Sequence, residues 1–578
     1  MRDGGGTLSR RQILVAGSGL AAAAGAAAAA MVVAGRGSAP SRPAESPAVL
    51  PSPTPAQTAA ATPLPQGGIA RLVAARSLSF DTFDAQRSGE PSVIEVLGRT
   101  HSRLVDWVDF GEPRLGAGLA ARWEQPDAQS LVLHLDPVAR WQDRAPLGGR
   151  AVTAADVAAH LERTLALVAQ GRLPGLQDAA AYGAIDRVTA TAATTLRIDT
   201  SHPDPCLLET LAGRFALVQA PEAVAAFEKQ WQELRPETVV GSGPFVYEGL
   251  ANGTLRFTAF RGGHRQPALD GLTVAQPGRD DAARFVAGEL DEVITRDRRD
   301  APRVRQALPH AAELARFQES PVVTTFFAGA APWNNPELVR ALSGALNRQE
   351  LARRLFGGRA AASALVTPVT PGFALSDAEL AAFPGYRSSL EDDVGEARKR
   401  WTAAGGPALG PVTVEFPSIF DPLYGASDTV IGMLGEALGP QFKAAVDTYT
   451  AISAKALDRA YGNGKAALWF GWAPPLEGPD PSRALLDVLG ASGATAAALG
   501  IAGQAPRALS RLVVEFDLEA RRSLAREAAR AHLELGSPGI VSWLLQRDEV
   551  FRTPNLGRSA PVPFWPEHLD QSAHFSQP

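Results

Sequence analysis

Residues 118–157 read GLAARWEQPDAQSLVLHLDPVARWQDRAPLGGRAVTAADV, and this stretch decides the fold class. Within it, Leu131-Val132-Leu133-His134-Leu135 reads as a strand. Its end reads as the start of a helix. Thr153 followed three residues later by Asp156 is a capping-box pattern, and Val157, Leu161 and Leu165 then fall on one helical face. A strand followed within a few residues by a capped amphipathic helix is the signature of an α/β chain, in contrast to all-β or all-α architecture.

The same alternation extends in both directions. Ile69 to Ala75 reads as a first strand, and Leu196-Arg197-Ile198 closes a hairpin begun near Val188. Leu255-Arg256-Phe257-Thr258 and Val412-Thr413-Val414-Glu415-Phe416 alternate apolar and polar residues, the period of a half-buried strand. Asn335 with Pro336 behind it marks a helix start, followed by Leu338, Leu342 and Leu346 at spacing four. Gly357-Gly358 ends the next helix. Ser389 with Asp392 opens a third, which a glycine cap at Gly405-Gly406 terminates. Glu391-Asp392-Asp393 is explained as charge complementing that helix start. No repeat of 20–50 residues is visible, which excludes a solenoid.

The chain has 578 residues, long enough for three or four domain-sized units. Its 56 basic and 61 acidic residues give a net charge of −5, without the electrostatic footprint of a nucleic-acid binder. A single cysteine, Cys206, excludes an intrachain disulfide framework and any multi-cysteine metal centre. At the N-terminus, Ser9-Arg10-Arg11-Gln12-Ile13-Leu14-Val15 precedes a run without charge from Ile13 to Gly35. A basic head with an apolar stretch reads as an export signal, and the twin arginine resembles the Tat signal, which carries folded proteins. Val32 and Ala34 suit a cleavage site, while an uncleaved anchor remains the other reading. Residues 36–67 are rich in Pro, Ala, Ser and Thr and are expected to be a disordered tether.

Catalytic signatures are missing. No Gly-x-Ser-x-Gly elbow occurs, so a hydrolase nucleophile is not marked. Gly462-Asn463-Gly464-Lys465 lacks the earlier glycine of a phosphate loop, and Ala466 replaces the residue that would hold magnesium. The nine histidines have no metal-ligand spacing. No catalytic residue, cofactor or metal is expected.

Six segments in register resemble the peptide- and nickel-binding family of solute-binding proteins that serve ABC importers, known as family 5. Gly118-Leu119-Ala120-Ala121-Arg122-Trp123-Glu124 with Trp141-Gln142-Asp143 is similar to the family's "LA-x-x-W-E … W-x-D-G" block, and Val152 to Val157 is similar to "P-V-T-A-E-D-V". Val240-Gly241-Ser242-Gly243-Pro244-Phe245 resembles "V-G-T-G-P-Y". Gly288-Glu289-Leu290-Asp291 resembles "G-E-x-D", Arg340 to Leu351 resembles "R-Q-A-L … I-D-R", and Phe470-Gly471-Trp472 with Pro479-Asp480-Pro481 resembles "G-W … D-P".

The resemblance implies a two-lobed, periplasmic-binding-protein-like α/β fold of the large class. Lobe I is expected over 68–275 plus 536–578, with an inserted subdomain near 90–190, and lobe II over 276–535. It implies a non-enzymatic, extracytoplasmic monomer that captures a peptide-like solute by closing its lobes and passes it to a permease and ATPase on separate chains. The family's ligand contacts fall at the Gly-Trp, which points to Gly471 and Trp472. The first-strand residues Ser79, Phe80 and Asp81 are expected to face the same cleft, while Trp123 and Trp141 are read as core. One departure limits the ligand. Peptide-binding members place an aspartate two or three residues after the tryptophan, to meet the ligand's ammonium. Here Pro474, Pro475 or Leu476 stands there, and Glu477 or Asp480 substitutes only if the loop bends back. The rival readings are a Tat-exported hydrolase and a membrane-tethered ligand sensor.

Overall fold

The computed structural model describes residues 66–75, 77–88, 90–109, 114–173, 179–295, 299–317, 322–325, 331–370, 372–418, 425–448, 451, 468–472, 480–557 and 574–575. The twin-arginine segment, nearly all of the tether, Gly462–Lys465 and Pro474–Glu477 lie outside them. The described residues fall into two compact units. One is Phe317–Arg547; the other combines the residues up to Arg316 with those from Asp548 onward.

The larger unit contains strands β1 (Ile69–Val73), β2 (Val105–Asp109), β3 (Arg114–Ala117), β4 (Ala120–Asp127), β5 (Ser130–Leu135) and β6 (Ile185–Ala192). It continues with β7 (Thr195–Thr200), β8 (Phe245–Ala251), β9 (Thr254–Ala259), β10 (Gly271–Ala275), β11 (Glu292–Thr295) and β12 (Ala312–Phe317). One four-stranded sheet has the order β1-β10-β9-β8, with β1 parallel to β10 and the other pairs antiparallel. A second, β4-β5-β7-β6, is antiparallel throughout and occupies Ala120–Thr200. The quoted stretch supplies its first two strands. Leu131, Leu133 and Leu135 are buried there, and the helix Ala154–Ala169 packs against β6 and β7. Its capping box is formed in both directions: Asp156 N donates to Thr153 Oγ1 at 3.3 Å and Thr153 N to Asp156 Oδ2 at 2.9 Å. Val157 and Leu161 are buried and Leu165 half-buried.

The chain does not leave this unit at Pro277-Gly278, where lobe I was expected to end. The helix Asp281–Val286 and β11 stay with it because Asp291 receives the Arg71 side chain of β1, Nε at 3.0 Å and Nη2 at 2.8 Å. Phe285, Val293 and Phe551 also share one small core with Val73 against it.

The unit Phe317–Arg547 is built on β13 (Val322–Thr325), β14 (Ala360–Ala362), β15 (Val412–Pro417), β16 (Phe442–Asp447), β17 (Leu468–Trp472) and the part of β18 (Ile540–Arg552) up to Arg547. The order is β18-β13-β17-β15-β16, with β14 also on β18. β15 is parallel to both β16 and β17; the remaining pairs are antiparallel. The return crossing lies beyond Gly536–Gly539 for the same reason as the first one: Ile540–Leu544 pair with β13, and Leu544–Gln546 with β14. Helices cover the sheet as their start signals require. Asn335 Oδ1 accepts from Glu337 N, Ser389 Oγ accepts from Asp392 N, and Gly357 ends the helix Arg348–Phe356 at φ +59°. Leu338, Leu342, Leu346, Trp401, Val414, Phe416 and Trp543 share one continuous core. Asp393 does more than complement a helix start. It is fully buried and accepts a bond of 3.0 Å from Asn347 Nδ2.

Candidate ligand-binding site

The sheet of the Phe317–Arg547 unit brings the best sequence candidates to a defined place. Because β15 is parallel to β16 and to β17, the three strands end on the same edge, at Pro417, Asp447 and Trp472. In open α/β sheets, ligands bind outside the carboxyl ends of the strands. Gly471 and Trp472 are the last two residues of β17 and pair with Val323 and Val322 of β13. The sequence reading did not anticipate Ser418, Asp447 and Thr448 beside them. Ser418 N donates to Asp447 O at 2.8 Å, and Thr448 N to Asp447 Oδ1 at 2.8 Å. The alternation in Val412–Phe416 marked β15, but Phe442–Asp447 carries five exposed or half-exposed positions in a row and gave no clean period.

Asp480 has a structural partner. It is 6% exposed, its Oδ2 lies 2.8 Å from Arg521 Nη2, and its Oδ1 accepts from Ser482 N at 2.8 Å. That carboxylate ties the start of the helix Ser482–Leu489 to the helix Leu518–Glu534.

In the larger unit, Ser79, Phe80 and Asp81 lie past the end of β1, which closes at Val73, in a loop stitched down by its own side chains. Ser79 N donates to Ser92 Oγ at 3.1 Å. Asp81 Oδ1 accepts from Thr82 N at 2.8 Å and from Ser88 Oγ at 2.6 Å. Phe80 leads an aromatic series in which Phe80–Phe83, Phe83–Tyr247 and Tyr247–Phe257 have centroids 5.8, 5.6 and 5.6 Å apart. Ser79 is exposed; Phe80 and Asp81 are half-buried.

Several segments that carry the family resemblance are junctions of the fold. Gln142, after the buried Trp141, donates through Nε2 to Phe245 O at 2.7 Å, and its backbone N donates to Gly241 O at 2.9 Å. Gly243 N donates to Thr100 O at 2.8 Å. Gly241 and Gly243 serve close backbone approach: a Cβ on Gly241 would stand 1.9 Å from Thr100 O. Trp123 and Trp141 are buried core residues.

Histidines follow the same division. Burial holds His101 and His532 down to about 4, and burial followed by the Arg163 charge holds His160 down to about 3. His134 instead meets Glu124 at 3.0 Å at the surface. Among the described residues no group of three or more His, Cys, Asp or Glu is assembled for a metal.

Residues 114–486 match the bacterial extracellular solute-binding proteins, family 5, over the family's middle region. The chain belongs to that family. Among curated proteins it is 25% identical over 354 residues to the probable deoxycholate-binding periplasmic protein YgiS of Escherichia coli strain K12. That match covers 58% of this chain and spans 63% of the relative's length. The fold is that of the two-lobed periplasmic binding proteins. It matches DppA of Helicobacter pylori, an ABC transporter-associated periplasmic binding protein in complex with peptide STSA, at TM-score 0.70 and 16% identity, over 89% of this chain and 99% of that one. It also matches the Escherichia coli murein tripeptide binding protein MppA at TM-score 0.67 and 17% identity, over 88% and 98%.

Proposed function

We propose that this family 5 protein is the extracytoplasmic solute-binding component of an ABC importer. It takes up a peptide or peptide-like small molecule, shifts on binding to a closed form, and delivers its cargo to a permease and ATPase on separate chains. The observation that carries this reading is Gly471-Trp472 at the carboxyl end of β17, on the edge shared with the ends of β15 and β16. A glycine lets a ligand approach the backbone and an indole is a large apolar residue type, which is why Gly471 and Trp472 are the proposed ligand contacts. Ser79, Phe80 and Asp81 of the larger unit are further candidate ligand contacts. Asp480, joined to Arg521, holds the start of the helix Ser482–Leu489. The protein acts as a monomer on the outer face of the cytoplasmic membrane, reached through a Tat-type signal, and performs no chemistry on its solute.

Two observations favour a second ligand class. No aspartate stands two or three residues after Trp472, and the curated relative is named for deoxycholate, a sterol carboxylate without an ammonium group. The deciding experiment is mass spectrometry of small molecules released from purified, denatured protein, followed by thermal shift with the candidates found. A ligand at about 100 times its dissociation constant stabilises by about 2.7 kcal/mol. Recovery of peptides supports the first class, and recovery of an amphipathic carboxylate supports the second. Turnover of a bound compound would end the transport reading.

A further inference from the structure

Arg348 is fully buried, and none of its hydrogen bonds ends on a carboxylate. Its guanidinium donates to Ser343 O at 2.6 Å, Ser343 Oγ at 3.0 Å and Ser542 O at 2.9 Å. It lies between two aromatic faces, 4.0 Å from the Tyr386 centroid and 4.4 Å from that of Trp543. Gly385 makes room for it, since a Cβ there would meet Arg348 Nη1 at 2.1 Å. A buried cation is a poor way to gain stability, because an apolar residue of similar volume packs without the loss of hydration. The arrangement therefore calls for a role that a planar, multiply donating cation performs and a hydrocarbon does not.

The sheet register shows that role. Val322 of β13 pairs with Leu544 of β18, yet Val323 pairs with Ser542, so β18 carries an extra residue at Trp543. This is a bulge, and bulges recur where a strand must re-aim its neighbours. Arg348 holds both sides of it, bonding the Ser542 carbonyl and stacking on the Trp543 ring. Ser363 N donates to Trp543 O at 3.1 Å, and Tyr386 Oη donates to Ser363 O at 3.0 Å, which closes the knot. On the opposite edge of β13, the same two valines pair with Trp472 and Gly471.

We infer that Arg348 is a positioning residue: by holding the β18 bulge it sets the β13 register against which Gly471 and Trp472 are presented. It does not touch the ligand. The ligand part of this inference rests on the reading of Gly471-Trp472 as the binding edge; the strand part does not.

The test uses the full chain with Arg348→Lys and Arg348→Met. The lysine variant keeps a buried cation but loses the plane and two of the three bonds, so it serves where the methionine variant does not fold. Trp401→Phe, which trims the Trp401–Phe442 stack at 5.5 Å, is the control for a general loss of stability. Hydrogen exchange followed by mass spectrometry is expected to show faster exchange over Val322–Val323 and Leu468–Trp472 in the Arg348 variants and not in the control. Isothermal titration with tri-alanine is expected to weaken about tenfold in Arg348→Lys, and the combination with Trp472→Ala to fall short of the product of the single losses. Unchanged exchange at Leu468–Trp472 in a folded variant with lowered melting temperature overturns the inference, as do strictly multiplicative losses. Absence of tri-alanine binding by the unaltered protein counts against the peptide reading, while the exchange measurement still decides the role of Arg348.

Discussion

The two units solve the problem of buried polar groups differently. The larger one is assembled from separate small sheets, and its junctions are polar. Arg163 joins buried Asp84 at 2.5 Å, and Arg552 meets Glu292 at 2.5 Å. The Phe317–Arg547 unit wraps helices around one sheet with one continuous core; it too holds a buried pair, Asp480–Arg521, but its buried Arg348 makes no carboxylate bond and is stacked between aromatic rings. Small sheets have thin cores, so their joins rely on close backbone contact as well as charge pairs. A continuous core holds itself by area and leaves its strand ends free to display residues.

The largest effect is expected where two pieces of the larger unit touch through backbone. Gly241→Ala places a Cβ 1.9 Å from Thr100 O, which has no flexible end to move aside. Urea unfolding is expected to show a loss of about 4 kcal/mol or more, or no folded protein at all. A loss below about 1 kcal/mol would show that this junction adapts, and the contrast between the units would weaken.

In the other unit, the buried Asp480–Arg521 pair tests whether a continuous core tolerates the loss of one charge of a buried pair. Asp480→Asn keeps the acceptor for Ser482 N but removes the charge that faces Arg521, and is expected to cost about 3 kcal/mol of unfolding free energy. Loss of ligand affinity with unchanged stability would assign Asp480 to the ligand instead.

Acid sharpens the comparison further. The folded protein refuses protons at His101 and His532 until about pH 4 and at His160 until about pH 3, whereas an unfolded histidine takes one up near 6.5. Between those values the unfolded chain binds more protons, so stability falls as pH drops from about 6.5 towards 4, by about 3 kcal/mol per histidine. Two of the three histidines lie in the larger unit, which is therefore expected to unfold first in a pH series. His160→Gln is expected to flatten the slope; an unchanged slope would show that this imidazole titrates normally.

The smallest effect has the opposite sign. Gly432 lies in the helix Ala426–Leu438, with nothing within 4 Å of a built Cβ. Gly432→Ala is expected to stabilise by about 0.5–1 kcal/mol, measurable as a raised urea midpoint.

Local signals were legible because local chemistry produces them. The Thr153–Asp156 box, the Asn335 and Ser389 caps and the Gly357 terminus each concern a few consecutive residues and formed as read. Gly241-Ser242-Gly243 was legible through its resemblance to the family's turn, and the fold shows what its glycines serve, close contact with Thr100. The unit boundaries were misplaced because glycine and proline at 277–278 and 536–539 mark turns, and a turn does not say which unit the next strand joins. Asp291 with Arg71, and the β18 ladder on β13, settle that over long sequence separations.

By itself, the sequence determined the α/β class, the helix starts and stops, and the family, because each is written in residue types at short spacing. The tertiary structure alone decided that Trp472 ends beside Pro417 and Asp447 on one parallel edge, that Asp480 is joined to Arg521, and that Arg348 grips a bulge two strands away from Gly471. Strand order, register and the fate of a buried charge depend on residues tens to hundreds of positions apart, which no local pattern encodes.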